Sequence, residues 1–191
     1  MVGNNKDIIF ELYKSSRTVF RIMDVAMLLK IEKEATLRKK LNYCVKTGKL
    51  LNPRKGFYAK EGYKSEELAC LLYTPTYISL EYVLQRAGVI FQYDSAITNV
   101  SYLSREIEIE NQTFRYRQMK GEILTNTEGI LLNKNNVNIA TPERAFLDIL
   151  YLNKRFYFDN LHILNKKEIA KLLPIYGSQT LINYVNKLLS L

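Results

Sequence analysis

Between residues 19 and 59 the apolar residues follow first a helical and then a strand-like pattern, and this stretch constrains the fold more than any other. Val25, Leu28 and Leu29 recur at helical spacing, which predicts a short amphipathic helix over residues 23–30. A second helix is expected from near Glu32. In it Leu37, Leu41, Cys44 and Val45 share one stripe, the side that packs inward. Gly48 closes that helix, because glycine accepts the left-handed conformation that ends helices. Leu50 and Leu51 then read as a strand, residues 52–56 as a turn and residues 57–59 as the returning strand. Two helices followed by a hairpin make a winged helix-turn-helix.

The outer side of the second helix carries Ala35, Thr36, Lys39, Asn42, Tyr43 and Lys46, with Lys33 and Lys40 at its flanks. A helix with an apolar inner stripe and a basic, hydrogen-bonding outer face suits a DNA major groove. Arg54 and Lys55 lie at the expected hairpin tip, where cations meet phosphates or enter a minor groove. The expected DNA-binding residues are therefore Lys33, Thr36, Lys39, Lys40, Tyr43, Lys46, Arg54 and Lys55. The competing reading is a small helical subdomain with a solvated lysine face.

Charge placement favours the first reading. The chain has 191 residues and a net charge of +9. Residues 1–62 hold 14 Lys/Arg against 6 Asp/Glu, whereas residues 63–191 hold 14 against 13. Packing does not require such asymmetry, but phosphate binding does. An acidic membrane surface would need an amphipathic helix free to insert its apolar face, and here that face is needed for the core of residues 19–59 itself. The two cysteines form no spaced pair, so no disulfide scaffold is expected. The first ten residues lack a signal-peptide core and no apolar run reaches membrane-span length, so a cytoplasmic location is expected.

Residues 61–65, polar and containing Gly62, mark the expected boundary between a DNA-binding domain over 1–62 and a second domain over 63–191. Ahead of residue 19, Asn4 or Asn5 is expected to cap a first helix reaching Tyr13, and residues 18–20 to pair with the wing. After the boundary, residues 66–73 read as helix. Ser79 reads as the cap of a helix ending at Gly88, since no glycine-flanked elbow marks it as a nucleophile. Strand-like alternation follows at 97–103, 105–110 and 113–119, with a turn at Asn111-Gln112. Glu106, Glu108 and Glu110 share one strand face, from which they can meet Arg115 and Arg117 across the hairpin. A second hairpin is expected over 129–140. Thr141-Pro142-Glu143 opens a broad apolar helix: threonine caps, proline fits the first turn and glutamate meets the positive dipole end. Two closing helices are expected over 166–173 and 179–189. The lone His162 reads as structural, and no metal or cofactor is expected. Altogether the pattern is α+β: an N-terminal winged helix-turn-helix, then a mixed α+β domain of antiparallel hairpins and packing helices.

Four stretches carry a resemblance. They are Thr47-Gly48-Lys49-Leu50-Leu51 with Arg54-Lys55-Gly56-Phe57-Tyr58-Ala59; Pro75-Thr76-Tyr77-Ile78-Ser79-Leu80-Glu81-Tyr82-Val83-Leu84 closed by Ala87-Gly88; Phe114-Arg115-Tyr116-Arg117; and Ile139-Ala140-Thr141-Pro142-Glu143-Arg144-Ala145-Phe146-Leu147-Asp148. In this order they resemble the AbiEi antitoxins of bacterial AbiE toxin–antitoxin systems, over nearly the whole chain. The resemblance implies a two-domain antitoxin whose winged helix binds double-stranded inverted repeats in the promoter of its own operon and represses it, and a non-enzymatic role is expected. It also implies a C-terminal domain that counteracts a nucleotidyltransferase toxin, AbiEii, in a type IV relation that needs no stable complex. Other readings are a stand-alone regulator without a toxin, a metal-dependent nuclease using the glutamate ladder, and an adaptor whose second domain binds protein.

Overall fold

The computed structural model describes residues 8–31, 33–133 and 136–189. Asn4, Asn5 and Glu32, expected at helix starts, lie outside the described residues. The fold is α+β, and it divides into two compact units, residues 1–68 and 69–191.

The first unit contains α1 (Ile8–Lys14), β1 (Val19–Arg21), α2 (Ile22–Leu29), α3 (Glu34–Lys46), β2 (Leu51–Arg54) and β3 (Phe57–Ala59). Its antiparallel sheet has the order β1-β3-β2, with Phe20 opposite Tyr58. The helical stripes close one core: Leu12, Val25, Leu37 and Leu41 are fully buried, and Cys44 packs with them. Burying a leucine of this kind stabilises by about 1.5–3 kcal/mol. The chain after β3 is held by Glu67, whose carboxylate accepts from the Thr18 amide at 2.8 Å and the Thr18 hydroxyl at 2.6 Å.

The hairpin differs from expectation. Its turn is only Lys55-Gly56, and Asn52, Pro53 and Arg54 belong to β2. Proline is tolerated there because β2 is an edge strand that, among the described residues, has no outer neighbour to receive an N–H. Asn52 braces the irregular edge by donating to the carbonyls of Arg54 (3.0 Å) and Phe57 (2.5 Å).

Helix α4 (Ser65–Leu72) spans the division between the units. The second unit continues with β4 (Thr76–Ile78), α5 (Glu81–Arg86), β5 (Ile97–Ser101), β6 (Arg105–Ile109), β7 (Gln112–Gln118), α6 (Gly121–Thr125), β8 (Ile130–Leu132), β9 (Asn138–Ala140), α7 (Pro142–Leu152), α8 (Lys166–Leu172) and α9 (Gln179–Leu189). Its six-stranded sheet has the order β6-β7-β5-β4-β9-β8. The expected hairpins β6–β7 and β8–β9 are antiparallel, but β5–β7 and β4–β9 are parallel, so the sheet is mixed. The β6–β7 turn is Glu110-Asn111, one residue earlier than expected. Both residues have positive φ, 50° and 65°, the backbone that lets a two-residue hairpin turn follow strand twist. Thr141 caps α7 as expected, its hydroxyl accepting from the Arg144 amide at 3.2 Å.

Candidate nucleic-acid interface

At about 100° per residue, Thr36, Lys39, Tyr43 and Lys46 run down one side of α3, away from Leu37, Leu41 and Cys44. All four are exposed, as are Lys33 at the N-cap and Lys40 beside the buried stripe. Tyr43 presents 65% of its surface to water. Such exposure of a large aromatic on a rigid helix leaves both its ring and its hydroxyl available to a partner.

Local chemistry supports this helix at both ends. Glu34 sits in the first turn and pairs with Arg38 at 2.5 Å, one turn on. At the other end the Lys49 amide donates to the Cys44 carbonyl (2.9 Å) and the Gly48 amide to the Val45 carbonyl (3.0 Å). Gly48 has φ +70°, so the pair of bonds forms a Schellman closure. Asn42, expected on the outer face, is exposed but engaged: its Oδ1 accepts from the Tyr58 hydroxyl at 3.2 Å. Burial raises the Tyr58 pKa, opposed by the nearby Arg38 charge, so the hydroxyl keeps its proton and ties the hairpin to α3.

The hairpin cations separate. Lys55 is exposed in the two-residue turn. Arg54 is half-buried at the end of β2, opposite Phe57, rather than at the tip. Among the described residues, Lys33, Lys39, Lys46 and Lys55 enter no ion pair. Seven of the eight expected residues are thus exposed in the first unit, six from Lys33 through α3 and one in the turn.

In the second unit the glutamate ladder is partly spent on structure. Glu106 accepts from Arg115 at 2.7 Å, and Asp94 holds the same guanidinium at 2.7 Å from the other side. For Asp94, burial pushes the carboxyl pKa up, but bonds from Arg115 and the Ala96 amide carry it below the ordinary value. Glu108 and Glu110 are exposed. Among the described residues, no group of three or more His, Cys, Asp or Glu side chains could hold a metal ion. His162 is exposed in a 3-10 turn, Leu161–Ile163.

Two features of this unit escaped the sequence reading. The first is a fully buried ion pair inside α7: Arg144 Nε donates to Asp148 Oδ1 at 3.3 Å, and both side chains are 0% exposed. Arg144 also donates to the carbonyls of Glu128 (2.9 Å) and Ile123 (2.7 Å). Asp148 accepts from the hydroxyls of Ser79 (2.7 Å), Tyr176 (2.7 Å) and Tyr77 (3.0 Å). Ser79 is therefore not the cap of α5. It is buried and donates its hydroxyl to Asp148 of α7. The amide that a cap would serve, that of Tyr82, donates instead to the Thr98 hydroxyl at 3.0 Å. Burial pushes Asp148 above its usual carboxylate range, against the pull of Arg144 and the three hydroxyl donors.

The second is a cavity of about 160 Å³ lined by Leu80, Glu81, Arg117, Ile149, Leu152, Asn153 and Phe156. Leu80, between β4 and α5, has φ 62° and ψ −139°, a backbone conformation that costs an L-residue roughly 1–3 kcal/mol. It is held by Thr98, whose hydroxyl donates to the Ser79 carbonyl at 2.6 Å. Arg117, expected to face the β6 glutamates, lines this cavity instead. A charged residue immediately after a buried serine–leucine pair was the available signal, but alone it does not distinguish a cavity from a wet helix start.

The molecule is thus an α+β protein with a small helical, sheet-backed unit and a larger mixed-sheet unit. No protein-family model matches the chain, and no curated protein matches it. Among solved structures, the chain is similar to the RV2827C protein from Mycobacterium tuberculosis, with 11% identity and a TM-score of 0.48, over 87% of this chain and 70% of that one.

Proposed function

We propose that this chain is a non-enzymatic, DNA-binding transcriptional regulator of the AbiEi antitoxin type. Its first unit is a winged helix-turn-helix in which α3 is the recognition helix and the β2–β3 hairpin is the wing. Thr36, Lys39, Lys40 and Tyr43 face base edges, Lys33 and Lys46 extend the groove contact, and Lys55 and Arg54 meet phosphates. The operator is double-stranded DNA with inverted repeats upstream of the gene. The second unit counteracts a nucleotidyltransferase toxin, in keeping with the resemblance of the four sequence stretches.

The observation that carries the DNA reading is the exposed row Thr36, Lys39, Tyr43, Lys46 on a helix whose other side is core. Cations and hydrogen-bonding groups on a rigid helix read base edges while the backbone charge supplies affinity. The test is a gel shift of the full chain on its own upstream region at low ionic strength, against a scrambled duplex of equal length. Sequence-selective retention is expected. No retention at low ionic strength would falsify this reading. Co-expression with a neighbouring nucleotidyltransferase gene tests the antitoxin half by growth rescue.

A further inference from the structure

The cavity between α5, β7 and α7 holds two opposite charges that do not neutralise each other. Glu81, the first residue of α5, has its Oε2 buried with no hydrogen-bond partner. Arg117 of β7 lines the same space and forms no ion pair among the described residues. A buried carboxylate oxygen without a donor is costly, and native structures leave few of them. Here the cost sits beside a strained Leu80 backbone that sets Glu81 at the cavity, and strain of this kind gathers at ligand sites.

The lining selects the chemistry. A simple cation would satisfy Glu81 but face Arg117, and a simple anion would satisfy Arg117 but face Glu81. The partner must carry a cationic donor and an anionic acceptor together. Asn153 Oδ1 already accepts from the Arg155 amide, so its side-chain amide nitrogen remains to donate to the anionic end. Ile149, Leu152 and Phe156 supply an apolar wall. At about 160 Å³ the space lies below the range of about 300–1,000 Å³ typical of drug-sized ligands, so the occupant is a small molecule. We infer that this cavity binds a free α-amino acid with an apolar side chain, its ammonium on Glu81 and its carboxylate on Arg117. Glu81 is half-buried, with its Oε2 covered, and Arg117 is exposed, so the ammonium takes the inner side of the cavity and the carboxylate its mouth. The inference does not depend on the DNA reading, since every lining residue belongs to the second unit.

The experiment is calorimetric titration of the full chain with L-leucine, L-methionine and L-phenylalanine as probes. In parallel, isopentylamine and 4-methylpentanoate present one charged end of leucine each. At least one amino acid is expected to bind one-to-one with a Kd of about 1 mM or tighter, and each half-analogue at least about tenfold more weakly. Glu81→Gln and Arg117→Gln should each weaken that binding about tenfold or more, with unchanged far-UV circular dichroism. Arg117→Gln, at an exposed position, keeps the test open if Glu81→Gln misfolds. Failure of all three amino acids to bind, equal binding of either half-analogue, or undiminished binding by Arg117→Gln overturns the inference. Gel shifts on the upstream DNA report on the first unit separately.

Discussion

Replacing Arg144 by methionine should produce the largest single loss of stability in the second unit, with a distinctive pH signature. Methionine fills much of the same volume but removes the guanidinium that pairs with Asp148. The carboxylate then stays fully buried with only three hydroxyl donors, and the carbonyls of Ile123 and Glu128 lose their donor. Breaking a buried pair on one side typically costs about 3–5 kcal/mol. A unit spanning residues 69–191 has an unfolding entropy of roughly 0.26 kcal/mol/K, so 4 kcal/mol corresponds to a fall in Tm of about 15 °C.

The pH signature follows from Asp148. Burial already raises its folded-state pKa, and without Arg144 that pKa rises further. A carboxyl with a raised folded pKa favours folding below its unfolded pKa of about 3.9, and loses that contribution as pH rises through the folded value. The stability deficit of Arg144→Met relative to the parent should therefore shrink as pH falls from 7 towards 4. Calorimetric melts at pH 7, 6, 5 and 4 read this directly. A deficit under about 1 kcal/mol, or one that does not change with pH, refutes the claim that an uncompensated buried charge is responsible. The double variant Arg144→Met/Asp148→Asn removes both charges and should be less destabilised at pH 7 than Arg144→Met alone.

Other outcomes can be checked independently. Lys39→Ala should lower operator affinity by about 1–3 kcal/mol and relax sequence choice, whereas Lys55→Ala should weaken all sequences alike and reduce the slope of log K against log salt by about 0.9, measured by fluorescence anisotropy across a salt series. Gly48→Ala places a Cβ on a residue with φ +70°. It should destabilise the first unit by at least about 0.4–1 kcal/mol in urea unfolding, although no heavy atom beyond its chain neighbours lies within 4 Å of that Cβ. Ser79→Ala should cost about 1–3 kcal/mol by removing a donor to Asp148; Ser79→Asp, a good capping residue, should be worse rather than neutral, because it sets a second carboxylate against the first.

The local punctuation of the chain was readable because each signal acts through nearby backbone. Gly48 ends α3 through bonds to residues three to five positions earlier, and Thr141 caps α7 through the amide three residues on. The burial of Leu37, Leu41 and Cys44 follows from periodicity in the same way. Pairings across long separations left no such mark. The parallel contacts β5–β7 and β4–β9 depend on crossovers, and no spacing rule matches Ile78 to Ile139. Arg54 was misplaced for a different reason. Residues 52–54, expected in the turn, belong to β2: an edge strand accepts Pro53, and edge status is a property of the finished sheet.

Ser79 and the Arg144–Asp148 pair explain why motif reading and site reading diverge in the second unit. Charged and hydroxyl side chains in a recurring stretch invite a chemical role, yet here Tyr77, Ser79, Arg144 and Asp148 are all buried and bonded to one another. Two of the four stretches that carry the resemblance meet in this network, joining β4 to α7. What they specify is therefore how the unit packs, and a protein sharing them would share this architecture before it shared any ligand. Residues that could differ without disturbing the network are the exposed ones on α3 and the cavity pair Glu81 and Arg117. Specificity for an operator or a small molecule would change there, while the buried pair held the frame constant.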